Sequence, residues 1–204
     1  MSASSLETLQ RIEDKLKEAY LITLRILSKT RELTEVESSE PRERLNVEIE
    51  ENVVLLDILK REIAEAILIY IIRYQPLGRD FRKVQAFLDV LYDVYRIGRY
   101  CREIVLVDRY VKRLSDESLK DLRKPLELAN KACESAYHAL FEECRQCLKQ
   151  VQEIDEVVDD LYLSCLKEMG KEDVLPSFAV ARVLVLRHIE RIVDHAVNIA
   201  SYSD

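Results

Sequence analysis

Apolar residues recur at three- and four-residue intervals along most of this chain, the period of helices that bury one face. In the first such stretch Leu9, Ile12, Leu16, Tyr20, Leu24 and Leu27 share a side, which predicts a helix over residues 6–33. The pattern stops in TEVESSEPRER, residues 34–44, where Ser, Pro and charge cluster as they do in loops. It resumes as a second helix over 42–74 that opens at or just after Pro41. Gln75, Pro76, Leu77 and Gly78 end that helix, and a third covers 79–110. Leu114, Ser115 and Asp116 then begin a second unit, with Ser115 or Asp116 available to cap a fourth helix over 117–141. Pro125 predicts a kink in that helix or a later start. A fifth helix over 143–169 and a sixth over 177–202, opened by Pro176, complete the pattern. The expectation is an all-α chain of two units, residues 1–112 and 113–204.

Composition supports that reading and narrows the function. Only 3 Gly and 4 Pro occur in 204 residues, with 34% charged and 48% hydrophobic side chains, a balance suited to long amphipathic helices and poor in turns. A net charge of −7 argues against a nucleic-acid binder, which needs a concentrated basic footprint. The longest uncharged apolar run, AILIYII at 66–72, falls far short of the about 20 residues that span a bilayer. The start MSASSLETLQRIEDK lacks the basic and apolar regions of a leader, so a cytoplasmic location is expected. Cys101, Cys133, Cys144, Cys147 and Cys165 spell out no disulfide framework. Cys144 and Cys147 form a single CxxC, a weak zinc signal, and are expected to be small buried apolar groups unless the source is a hyperthermophile.

Candidate chemistry sits in the second unit. Glu190, Asp194 and Asn198 recur every four residues in ERIVDHAVNIA, slightly more than one helical turn, so their oxygens share a stripe. Asp155 and Asp159 repeat the spacing in DEVVDDLY, on a helix that a turn around Gly170 and Pro176 folds back antiparallel. Facing carboxylates repel, and either a bound cation or a solvated face resolves the repulsion. An all-oxygen donor set suits hard cations such as Mg²⁺, Mn²⁺, Ca²⁺ or Fe³⁺. The two units also overlay as repeats: YRIGRYCREI lies on ERIVDHAVNI, which sets Tyr95, Arg99 and Glu103 against Glu190, Asp194 and Asn198. On the partner helices Asp57 meets Asp159 and Val53 meets Asp155. The first copy has lost the acidic stripe. Residues 75–112 carry eight basic against five acidic side chains, while 142–168 carry eight acidic against three basic, so the molecule is expected to be dipolar.

With these motifs the chain resembles the PhoU family, regulators of phosphate uptake. The family's ERxxDxAxNIA pattern is matched by Glu190, Arg191, Asp194, Ala196, Asn198, Ile199 and Ala200. Its DxxVDxLY pattern is matched by Asp155, Val158, Asp159, Leu161 and Tyr162, and its RDLR element resembles Arg79, Asp80, Phe81 and Arg82. The resemblance implies two tandem three-helix bundles and a metal cluster, often iron, held by Asp155, Asp159, Glu190 and Asp194, with Asn198 as a further donor. It implies no such site in the first repeat. It also implies a non-enzymatic regulator that touches the ATPase subunit of a phosphate transporter and, where present, a phosphate-sensing histidine kinase. A homodimer is a further expectation from the long amphipathic helices. The alternative is a metal-dependent carboxylate-bundle enzyme or a metal-storage or scaffold module. The chain's lack of any Glu-x-x-His weighs against the enzyme.

Overall fold

In the computed structural model, residues 3–202 form six α-helices and one 3₁₀ turn. They are α1 (Ala3–Glu32), α2 (Ser39–Tyr74), α3 (Arg79–Tyr110), the turn Glu117–Leu122, α4 (Arg123–Glu142), α5 (Arg145–Met169) and α6 (Ser177–Ser201). The first three pack on one another, as do the last three, and α3 lies against α6 while α1 lies against α4. No helix among the described residues is long and apolar enough to cross a membrane.

Local chemistry explains the element ends. Helix α2 begins three residues before the expected 42, because Pro41 occupies its first turn, where a missing N–H costs nothing. It ends on Gln75 in the left-handed region (φ 46°), whose N–H reaches the Ile71 carbonyl at 2.9 Å, and Pro76 blocks continuation. Pro125 likewise sits in the first turn of α4, so the later start is the one realised. Residues 117–122, expected as α-helix, form the 3₁₀ turn, opened by an Asp116 carboxylate that accepts the Ser118 N–H at 3.1 Å. Helix α4 closes on Glu143 (φ 54°), and α5 begins at Arg145 rather than 143. Between them Cys144 and Cys147 are joined in a disulfide, which corrects the expectation of two separate buried thiols. Cys101, Cys133 and Cys165 are free and buried.

A buried ion pair organises one end of the first bundle. Arg42 of α2 is 4% exposed and donates to the Asp108 carboxylate of α3, to the Leu33 and Val36 carbonyls of the α1–α2 connection, and to the Ser115 hydroxyl. Asp108 also accepts the Leu114 N–H at 2.7 Å. One guanidinium therefore joins both of the polar connections that flank α2 and α3.

The two bundles share one continuous core. Tyr20 of α1 is buried among the aromatic edges of Tyr137 and Phe141 of α4, and its hydroxyl donates to the Cys133 carbonyl at 2.9 Å. Across the other seam Nδ1 of His195 in α6 lies 2.6 Å from the Asp93 carboxylate of α3, with both side chains nearly buried.

Truncating one partner of a buried pair strands the other charge. Asp108→Asn and Arg42→Met are each expected to lower the unfolding free energy by about 3–5 kcal/mol in equilibrium denaturation, while the apolar double variant Arg42→Met/Asp108→Leu recovers much of the loss.

Candidate functional site

The stripe expected on α6 is present, and α5 runs beside it. Helical spacing sets Glu190, Asp194 and Asn198 on one side of α6 and Asp155 and Asp159 on one side of α5. Asp155, Asp194 and Asn198 line a cleft of about 440 Å³. Glu190 and Asp159 lie near enough to be felt electrostatically without lining it.

The carboxylates crowd one another. Burial, then the charges of Asp159, Asp194 and Glu156, pushes the Asp155 carboxyl up to about 6. Glu190 is also raised, by burial first and then by Asp194, against the pull of Arg187 and Arg191. Those two arginines partly neutralise α6: Nη1 of Arg187 donates to both Glu190 oxygens at 2.7 Å, and Nη1 of Arg191 donates to Asp194 at 2.9 Å. Asp155 has no such partner among the described residues. Nor do any three His, Cys, Asp or Glu side chains among them stand grouped as ligands of a metal ion.

The cleft draws a third of its lining from the first repeat. Tyr92, Arg96 and Tyr100 of α3 face Asp155 and Asp194 across it. The His195 ring stacks on Tyr100 with centroids 5.7 Å apart, which assigns it the packing role expected from its place on the helix. Of the other histidines, His138 pairs with Glu142 at 2.8 Å, and His188 is held against the Tyr100 ring. None of the α3 residues was a candidate from sequence, because only the packing of α3 on α6 brings them to the acids. Arg187, also missed, carried a signal: a cation three residues before Glu190 on the same helix.

The repeat overlay has a spatial counterpart. Val53, Asp57, Tyr95 and Arg99, the residues that align with Asp155, Asp159, Glu190 and Asp194, together line a second cleft of about 440 Å³ between α2 and α3. There Arg99 reaches Glu103 at 3.5 Å, Arg61 pairs with Asp57 at 2.5 Å, and Lys60 lies 4.0 Å above the Tyr95 ring. Four carboxylate positions in one repeat are thus valine, aspartate, tyrosine and arginine in the other.

Fold and site together describe an all-α repeat protein with a polar cleft where α3 of the first bundle meets the Asp155 and Asp194 carboxylates of the second. The profile of the family described as "PhoU domain" matches residues 16–108 and 122–203, and the chain belongs to that family. It is similar to the phosphate-specific transport system accessory protein PhoU homolog of Synechocystis, with 28% identity over 158 residues that cover 71% of this chain and 66% of that protein. With homolog 1 of Thermotoga maritima, identity is 26% over 151 residues, covering 71% and 65%. The matched stretch thus spans just under two thirds of these curated relatives. The crystal structure of PhoU from Pseudomonas aeruginosa superposes with a TM-score of 0.82 at 20% identity, covering 97% of this chain and 95% of that one. PhoU from Streptococcus pneumoniae gives 0.77 at 17% identity, covering 97% and 93%.

A carboxyl protonated more readily in the folded than in the unfolded chain stabilises the fold below its ordinary value, and that contribution is lost as pH rises through the folded value. For Asp155 the window runs from near 3.8 to about 6. In metal-free protein Asp155→Asn is therefore expected to raise the melting temperature at neutral pH and to flatten the stability profile across that window, as followed by circular dichroism.

Proposed function

We propose that this chain regulates phosphate transport by protein contact and carries out no chemistry of its own. The observation that supports this reading is the match of both repeats to the PhoU domain, the domain of relatives whose names describe transport-system accessory proteins. The partner we assign is the ATPase subunit of a phosphate transporter, with a phosphate-sensing histidine kinase as a second partner where one is present. The dipolar charge distribution supports an oriented encounter, since complementary fields steer association and fix register. Affinity capture of the tagged protein from phosphate-replete and phosphate-starved cells is expected to recover the ATPase in an amount that depends on phosphate. Recovery of no transporter or kinase component under either condition, from folded bait, would overturn the reading.

The donor set of the second repeat suits a hard cation: Asp155 and Asp159 from α5, Glu190 and Asp194 from α6, and Asn198 as a neutral oxygen donor. Burial first, and then the neighbouring charges of Asp159, Asp194 and Glu156, raises the Asp155 carboxyl, while Arg187 and Arg191 pair with Glu190 and Asp194. Iron is the first candidate, followed by Mn²⁺, Mg²⁺ and Ca²⁺. Such an ion would supply positive charge that draws α5 and α6 together, and Glu190 and Asp194 would exchange their arginine partners for it. Asp155→Ala and Asp194→Ala are each expected to lower bound iron or manganese at least about tenfold by elemental analysis after loading, since loss of even a group that only supports a ligand costs about 10–100-fold in metal affinity. Asp57→Ala in the first repeat is expected to leave it unchanged.

A further inference from the structure

Cys144 and Cys147 take no part in the acidic cleft or in the proposed regulation. Cys101, Cys133 and Cys165 are free and at most 3% exposed, and the CxxC pair alone is joined. That link staples no two elements together. Cys144 is the N-cap of α5 and Cys147 lies in the same first turn, where its N–H already reaches the Cys144 carbonyl at 3.0 Å. A bridge across so few residues closes a very short loop and removes little freedom from the unfolded chain, so its contribution to stability is among the smallest a disulfide can make. Cysteine also displaces the Ser, Thr, Asp or Asn that favours a helix start, and the Cys144 side chain makes no capping hydrogen bond. A position that forgoes stability in two ways points to chemistry at the sulfurs.

Placement gives the two sulfurs different parts. Cys147 is 7% exposed, whereas Cys144 is half-buried and flanked by exposed Glu143, Arg145 and Gln146. An incoming thiolate therefore meets Sγ of Cys144 first. Once the bond opens, the Cys144 sulfur stands at the N-terminus of a 25-residue helix, whose dipole and free first-turn N–H groups favour a negative charge there. Among the neighbouring charges, Glu142 is held by His138 at 2.8 Å, and exposed Arg145 offsets exposed Glu143.

We propose that Cys144 and Cys147 form a thiol–disulfide exchange site that accepts two electrons from a dithiol and returns them to a disulfide oxidant. In the reductive half, one sulfur of the dithiol loses its proton and attacks Sγ of Cys144. The bond to Cys147 breaks, and its electron pair leaves on the buried Sγ, which takes a proton from water. The second thiolate of the dithiol then attacks the dithiol's own sulfur in the mixed disulfide and releases Cys144. The pair has gained two electrons and two protons, and the dithiol has become a disulfide. In the oxidative half Cys144 attacks the oxidant's disulfide, one thiol leaves, and Cys147 displaces the second thiol from Cys144 to close the link. The chain is modified by this exchange and catalyses nothing.

Alkylation followed by peptide mass spectrometry reads the state of each cysteine in the folded full chain. Without denaturant, dithiothreitol is expected to open the link and an excess of oxidised glutathione to close it again. Cys101, Cys133 and Cys165 are expected to stay unlabelled throughout, with an unchanged helical circular dichroism spectrum. Cys147→Ser, which lacks the resolving sulfur, is expected to accumulate a mixed disulfide between Cys144 and glutathione. Cys144→Ser, which presents only the buried sulfur, is expected to react with oxidised glutathione at least about tenfold more slowly than Cys147→Ser. A link that survives dithiothreitol in the folded chain overturns the proposal. So does a pair that oxidised glutathione never closes, or a Cys144→Ser variant that reacts as fast as Cys147→Ser.

Discussion

His195 and Asp93 meet across the seam between the two bundles, and the geometry of the candidate site hangs on that meeting. An Nδ1–H that donates to the carboxylate at 2.6 Å fixes the ring of His195, and the ring in turn stacks on Tyr100. Because both polar groups are nearly buried, sliding α3 along α6 would leave each without its partner, a penalty larger than the bond itself is worth. Apolar packing alone would tolerate such a slide far better. The pair therefore sets register, and register decides that Tyr92, Arg96 and Tyr100 stand opposite Asp155 and Asp194. Arg42 and Asp108 act the same way at the end of the first bundle, where one buried guanidinium joins four segments of chain. In both places the buried polar pair contributes specificity to a fold whose stability comes from aliphatic burial.

Duplication followed by divergence accounts for the unlike chemistry of the two repeats. Equivalent helices make equivalent clefts, so the backbone did not need to change for the function to do so. Replacing Glu190 and Asp194 by the tyrosine and arginine at 95 and 99 turns a site of unbalanced negative charge into one where Arg61, Lys60 and Arg99 offset Asp57 and Glu103. Burial, and after it the neighbouring carboxylates, raises Asp155 and Glu190 in the repeat that kept its acids.

Helix existence was legible because amphipathic periodicity persists over tens of residues, and the carboxylate stripe because four-residue spacing survives any packing arrangement. Element ends were less so. The 3₁₀ turn at 117–122 reads as helix by composition, and only the tertiary position of Pro125 decides where α4 begins. The Cys144–Cys147 link was open in the sequence, since a three-residue spacing serves a helix turn, a metal or a disulfide equally well. The two apolar faces of α2 were written plainly in VVLLDILKREIAEAILIYII, yet periodicity names faces without saying which one a neighbour covers.

The sequence by itself determined the all-α class, the twofold repetition, the acids that share a face and the loss of those acids from the first copy, because each depends on spacing along one helix. Tertiary structure alone decided which helices of different repeats touch. That brought α3 residues about one hundred positions away to the acids of α6, closed the Arg42 and His195 pairs, and left one face of α2 without a cover. Such contacts depend on how whole faces fit, and the shape of a face is a property of many side chains at once.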